Sequence, residues 1–513
     1  MLNPWSEGYV TGVDYTYGYY RELSPAFQRF CLLLRGVETP EPSADDVHCE
    51  LGFGQGVSLA IHGAAAPGRF FGTDFNPAHA THARGLVAAS GAPTLALDDS
   101  FEQLLERTDL PQFSSISLHG VWSWVSRENQ AYILELLRRR LRPGGHVFVS
   151  YNAFPGWAPA HPLRQLFAMH DQRSNAGGDP DARVTRALDF AEALLAVEPR
   201  YLASAPQLPH RLKQIRGQNR AYIAHEYLNR NWHCMYFADM ADTLTAAKLE
   251  FAGTAVPLDT IDAVCLTPGA AQFLAKVEDP ILREQARDYF ISQQFRRDLY
   301  VRGLRRLPGF LQRDRLLNSR FILTQAPAQV PGKVATPLGE ANLQAEVYGG
   351  VLQALADRSF APKSLRDIAA ANPDVALGQV IQAIVILVGM GSAAVCQSEA
   401  EIRAATKPCA ALNRSICERA IFSNSIEVLA SPVIGGAIAV TRFQQLLLLA
   451  QAQNKRTPQE WAEQAWRILD QQGQKIVRDG ATLEAPADNL AELVSQAESL
   501  AARMPILKAL MVV

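Results

Sequence analysis

Three glycines at alternate positions, Gly52, Gly54 and Gly56, follow the acidic Glu50 in the stretch HCELGFGQGVSLAI. VHCELGF reads as a strand and SLAIHGAAA as a helix. A strand that ends in a Gly-rich turn and opens a helix lets a ligand lie against bare peptide. The turn alone does not choose the ligand. Glu50 narrows the choice, because a pyrophosphate would be repelled there and a cation would not. Asp74 ends the next strand in FFGTDFNP, where a carboxylate can accept the hydroxyls of a ribose. S-adenosylmethionine combines a ribose with an amino group and a sulfonium and has no phosphate. Gly52 and Gly54 are expected to lie against it, and Gly56 to permit close helix-to-strand packing. The third strand ends LALDDSF. Asp98 or Asp99, with Ser100, is expected at the adenine amino group, Asp99 being favoured, and the other carboxylate at the cap of the helix FEQLLE. The fourth ends LHGVWSWVS and brings His119, Gly120, Trp122 and Trp124 to the carboxyl edge, where open α/β sheets bind ligands.

Methyl transfer is an in-line displacement for which a protein supplies proximity and alignment. Aromatic faces attract sulfonium and ammonium groups. Desolvation lowers the pKa of an amine, which must be neutral to attack. The leader tyrosines Tyr17, Tyr19 and Tyr20, with Trp122, Trp124 and Tyr151-Asn152 at the end of strand five, are the available set. Tyr19 or Tyr20 is expected to close over the cofactor, and Trp122 and Tyr151 to shape the acceptor slot. His119 reads as a satisfied histidine of the binding edge rather than a general base.

The elements that must position these residues alternate from Val47 to about Trp157: five apolar strand segments separated by helical patterns, hence a parallel sheet covered on both faces. Residues 158 to 300 are mostly helical, with a strand possible near Val256 and QFRRDLYVR taken as the end of a helix. Helix, short helix, helix and strand then follow in a winged-helix order. The remainder holds strongly apolar helices. A chain of 513 residues implies two to four domains. With 48% hydrophobic and 19% charged residues it is globular rather than disordered.

Several function classes are disfavoured. A net charge of −2 gives no basic footprint for nucleic acid, and ALGQVIQAIVILVGMG, in the place of a recognition helix, has no Lys or Arg. Seven cysteines without a CxxC suggest neither a disulfide framework nor a zinc ribbon. His225-Glu226-Tyr-Leu-Asn229 begins like a zinc helix but has Asn at the second His position, so no metal site is expected. The arginines of QQFRRDLYVRGLRR read as a solvated helix face. No signal peptide or spanning segment is read, and a cytoplasmic location is expected.

ELGFGQG, FFGTDFNP, LHGVWSWVS, SYNAFPGW and the leader YTYGYYRELSP together resemble a bacterial family of class I S-adenosylmethionine-dependent methyltransferases that carry a methyltransferase regulatory domain. Its relatives include the rickettsial protein-lysine methyltransferases. HEYLNRNW, Phe237 and QFRRDLYVR are similar to the second domain of that family, and residues 305–400 to its winged-helix segment. The resemblance implies a Rossmann-like methyltransferase domain over residues 1–160, a helical regulatory domain over 161–304, a winged-helix-like domain over 305–400 and a C-terminal helical segment over 401–513. It implies cofactor contacts from Tyr19, Glu50, Gly52, Phe53, Gly54, Asp74, Phe75, Asp99, Ser100, His119 and Gly120. Tyr20, Trp122 and Tyr151 are expected where the methyl is transferred. The acceptor it implies is a lysine of a protein. A small-molecule acceptor and a non-catalytic S-adenosylmethionine sensor are the alternatives, and a homodimer stays open.

Overall fold

Seven strands form one sheet. β1 (Val47–Leu51), β2 (Arg69–Thr73), β3 (Thr94–Leu97), β4 (Phe113–Leu118) and β5 (Leu141–Asn152) are parallel. β6 (Leu249–Thr254) and β7 (Phe295–Arg302) complete it, with β7 antiparallel to both β5 and β6. The order is β3-β2-β1-β4-β5-β7-β6. The chain winds outward in opposite directions from β1 and from β4, so a crevice opens at their carboxyl ends. This computed structural model describes residues 16–174, 179–218 and 220–513. Tyr9 and Tyr15 of the leader lie outside them.

The connecting helices start where the sequence offers caps. α1 (Pro25–Leu34) has Ser24 as its cap, and α2 (Val57–Ala65) begins at Gly56. α3 (Pro77–Ser90) has Asn76 as cap and Pro77 in its first turn. α4 (Phe101–Glu106) is capped by Ser100, whose hydroxyl accepts from Gln103 N–H, and not by Asp98 as expected. Asp98 instead pairs with Arg84 at 2.6 Å on the surface. α5 (Arg127–Arg140) closes this half.

The sheet draws strands from beyond residue 160, out of the stretch expected to be helical. QFRRDLYVR is strand β7 rather than the end of a helix. Its side chains alternate, with Tyr300 in the core beneath β1 and β4, and Leu299 and Val301 in the core on the other face. The arginines hid this alternation. Arg296 is 3% exposed and not a solvated cation. It lies at 2.8 Å from Glu284, 2.5 Å from Asp288 and 2.8 Å from Asp298.

Between β5 and β6, α6 (His161–Arg173), α7 (Pro180–Ala196), α8 (Leu208–Arg216) and α9 (Arg220–Leu228) bury Leu163, Phe167, Leu188, Leu212 and Ile223 in a core of their own. The single helix expected over PHRLKQIRGQNRAYIAHEYLN is broken after Arg216, where Gly217 ends α8. α10 (Phe237–Thr245) returns to the sheet, and α11 (Asp262–Cys265), α12 (Pro268–Leu274) and α13 (Pro280–Ile291) precede β7.

After β7 come α14 (Gly309–Asn318), β8 (Arg320–Leu323), the hairpin β9 (Lys333–Thr336) and β10 (Gly339–Asn342), α15 (Ala345–Phe360), β11 (Lys363–Ser364), α16 (Leu365–Ala370), α17 (Leu377–Met390) and β12 (Ala393–Val395). β8 pairs antiparallel with β11 and β12. Val380, Ile384 and Leu387 of α17 are buried in a core shared with Phe30 of α1 and Leu299 of β7. α18 (Glu399–Arg419), the hairpin β13 (Val428–Ser431) and β14 (Gly436–Ala439), α19 (Arg442–Ala452), α20 (Pro458–Gln471) and α21 (Pro486–Ala509) end the chain. This last part shares a core with Ile61, Ala64 and Ala65 of α2, so it rests on the helix that begins at the glycine turn. Among the described residues no helix is long and apolar enough to cross a membrane.

Candidate active site

The glycine turn is built from backbone constraints before any ligand enters. Gly52 has φ +73°, and its N–H donates to the Thr73 carbonyl at 2.8 Å. A Cβ there would stand 2.5 Å from Val121 Cγ2, so protein packing alone already demands glycine. Gly56 has φ +74°, and a Cβ would overlap the Ala83 side chain on α3. Its bareness serves a helix-to-helix contact, where helix-to-strand packing was expected.

Asp74 is locked in place. Its Oδ2 accepts the Gly54 N–H at 2.8 Å, and its Oδ1 accepts the Asn76 N–H at 3.0 Å and faces His79 Nδ1 at 3.1 Å. A carboxylate offers about four acceptor positions, so roughly one remains for a ligand hydroxyl. Glu50 differs. It is 9% exposed, and among the described residues its carboxylate makes no hydrogen bond or ion pair. Burial, and then the nearby Asp74, push its pKa up to about 8.

Both carboxylates line an open cleft of about 1150 Å³ at the carboxyl ends of β1 and β4. Gly52, Phe53, Gly54, Phe75, Asp99, Ser100, His119, Gly120 and Tyr20 line it too. Asp99 is held by Arg107 at 3.1 Å, and its carbonyl accepts the Thr73 hydroxyl. The Tyr20 ring lies 3.9 Å from the His119 ring, centroid to centroid. Burial, and then Arg297, lower the His119 pKa to about 3, so the imidazole is neutral near pH 7. Gly120 N–H donates to Ser150 Oγ at 2.8 Å.

Residues 219–302 match the family described as "predicted methyltransferase regulatory domain". An uncharacterized protein of the cyanobacterium Synechocystis is 37% identical over 509 residues, 98% of either chain. An uncharacterized protein of Rickettsia prowazekii is 23% identical over 351 residues, 67% of this chain and 60% of that one. The structure of PKMT2 from Rickettsia typhi in complex with AdoHcy superposes with a TM-score of 0.69, covering 97% of this chain and 99% of that chain at 18% identity. The chain belongs to the family of the Synechocystis protein. The chain has the class I methyltransferase fold, with strands β6 and β7 supplied from within the regulatory-domain segment.

Three expected site residues stand elsewhere. Tyr151 is fully buried on the opposite face of β5, its hydroxyl donating to Asp298 at 2.7 Å. Its neighbours Ser150 and Asn152 point to the site side, as strand alternation requires. Trp122 is 1% exposed and sits in the core, its carbonyl accepting from Gln130. Two residues on, Trp124 lines the cleft in its place. Tyr19 turns away from the cleft, and its hydroxyl accepts the Ala437 N–H at 2.8 Å.

A second cleft of about 1500 Å³ adjoins the first and shares Tyr20, His119, Gly120 and Trp124 with it. Its other walls include Asn152, Trp157, Arg211, Glu226, Tyr227 and Phe295, so it lies between the sheet edge and helices α8 and α9. Asn231 also reaches the first cleft. HEYLNRNW therefore supplies wall residues as well as packing: Asn229 Nδ2 donates to the His225 carbonyl, and the Asn229 carbonyl accepts from Arg164. No spacing rule in the sequence marks Glu226, Asn231 or Phe295 as cleft residues. They converge only through the fold.

Proposed function

We propose that the protein is an S-adenosylmethionine-dependent methyltransferase acting on lysine side chains of a protein. Glu50 carries this reading. A buried carboxylate without a partner is costly, and a ligand cation offsets that cost. A ligand with a phosphate would add repulsion instead. The residues on the cleft wall fit the cofactor: Glu50 for the positive methionine end, Asp74 for a ribose hydroxyl, and Asp99 with Ser100 for the adenine edge. AdoHcy bound to Rickettsia typhi PKMT2 supports the same cofactor here.

When bound, S-adenosylmethionine supplies an activated methyl group. The chain does the rest by placement. Tyr20, His119 and Trp124 form an aromatic neck between the two clefts. A neutral His119 adds no positive charge beside a sulfonium, and the ring faces favour cations. An amine entering from the second cleft is desolvated at the neck, which favours its neutral, attacking form. The breadth of the second cleft, bounded by two separate parts of the chain, supports a macromolecular acceptor over a small metabolite.

Calorimetric titration with S-adenosylmethionine and AdoHcy, on wild type and Asp74→Ala, tests the cofactor. Binding that collapses in the variant is expected. Labelled S-adenosylmethionine incubated with cell extract tests the acceptor, with label expected in methylated lysine after protein hydrolysis. Label confined to small molecules would overturn the protein acceptor, and no binding to wild type would overturn the whole reading.

A further inference from the structure

The ring at the neck of the two clefts is held by a strap, residues 16–24, that is fastened on both sides. On one side it grips α2. The Tyr20 N–H donates to Ser58 Oγ at 2.9 Å, and the Tyr20 carbonyl faces His62 Nε2 at 3.1 Å. On the other side it is tied to parts of the chain remote in sequence. Arg21 donates to the carbonyls of Val388 at 2.8 Å and Gly389 at 2.7 Å, in the last turn of α17. A guanidinium there adds a partner to carbonyls at the helix end and meets the negative end of the helix dipole. Tyr19 accepts from Ala437 on β14, and a Cβ on Gly436 would overlap the Tyr19 hydroxyl. Ser24 Oγ donates to the Gly435 carbonyl at 2.8 Å. Gly18 leaves room for Tyr20 to lie back on the strap, since a Cβ there would stand 2.5 Å from the Tyr20 Oη.

We infer that Tyr19 and Arg21 are positioning residues: by anchoring the strap to the β13–β14 hairpin and to α17 they hold Tyr20 over His119, and so they couple cofactor affinity to the distal half of the chain. This rests on the S-adenosylmethionine reading above. Neither side chain lines the first cleft, so neither acts by touching the ligand. Their role is to prepay the ordering of a segment that would otherwise be ordered at binding.

The test is calorimetric binding of AdoHcy to the full chain, with thermal unfolding of the same ligand-free proteins. Loss of one anchoring hydrogen bond in Tyr19→Phe, or of two in Arg21→Ala, should weaken AdoHcy by about fivefold to tenfold. Arg21→Lys keeps a cation and a donor at the α17 terminus and should recover part of the loss. The decisive variant is Tyr20→Ala combined with Arg21→Ala, which should bind no more weakly than Tyr20→Ala alone, because the anchor acts through that ring. Wild-type affinity in both anchor variants overturns the inference, as does a loss that multiplies with that of Tyr20→Ala. A purely structural role would give that multiplication together with a lower unfolding midpoint. If Tyr19→Phe does not fold, the Arg21 pair carries the test. If wild type itself fails to bind AdoHcy, the cofactor reading falls first and takes this inference with it.

Discussion

Glu50 and the cage around Arg296 are two answers to the same problem, a carboxylate taken out of water. In the cage, Glu284, Asp288 and Asp298 surround one guanidinium, and Tyr151 donates to Asp298. Arg296 also lies 4.3 Å over the Phe237 ring. Burial pushes Asp288 up to about 7 against the pull of Arg296. For Glu284 burial also pushes up, but the attraction of Arg296 wins and its pKa falls. The cage is closed by protein and holds β7 to α13. Glu50 is 9% exposed and opens on a cleft, and among the described residues no cation pairs with it. The difference teaches that a buried charge completed by the chain is structural, whereas one left incomplete at a cleft is an address for a ligand.

The comparison breaks most visibly at Arg296. Arg296→Met leaves the buried Asp288 and Asp298, and the half-buried Glu284, without their shared cation and should cost about 4 kcal/mol. Urea unfolding reads this as a large drop in midpoint, and an unchanged midpoint would show that the cage carries no stability. Glu50→Gln should move the ligand-free protein the other way. The Glu50 pKa is raised to about 8 in the folded state, so an ionised Glu50 costs stability. That cost is absent below the unfolded carboxylate pKa and grows as pH rises toward 8. Near pH 8 the glutamine variant should therefore be more stable by about 4 kcal/mol, with no difference near pH 4. Thermal unfolding at both values checks it, while AdoHcy binding by the variant should be strongly weakened.

A smaller effect sharpens the same point. In wild type, binding a cationic ligand should expel the Glu50 proton, so affinity should rise by about twentyfold between pH 6 and pH 7.5. Titrations in buffers of different ionisation enthalpy should register the released proton, and Glu50→Gln should abolish the pH dependence. The smallest effect belongs to a carboxylate that never left water. Asp98 pairs with Arg84 on the surface, and Asp98→Asn should change stability by no more than about 0.5 kcal/mol and leave AdoHcy affinity untouched. A clear loss of affinity in that variant would return Asp98 to the adenine side of the site.

Much of the cleft wall was legible because it is local. Glycines at φ above +50°, an acidic residue at a strand end and a capping serine are short-range matters, and Glu50, Gly52, Gly54, Asp74, Asp99, Ser100, His119 and Gly120 fall on one cleft wall as their strand order implies. The aromatic residues were harder to place. Tyr151 missed by one position and Trp122 by two, because an aromatic ring suits a core and a cleft equally well and only the path of the chain decides which face it meets.

The sequence by itself determined the strand and helix alternation, the glycine turn with its acidic partners, and the absence of cations on α17. Short-range backbone preferences and hydrophobic period suffice for these. Only the tertiary structure decided that QFRRDLYVR completes the sheet, that Arg296 is caged rather than solvated, and that Tyr19 and Arg21 reach residues 418 and 367 positions away. The physical reason is that an arginine, a tyrosine or a tryptophan carries no mark of its partner in its own neighbourhood. Its role is set by which distant carboxylate, carbonyl or cavity the fold brings to it.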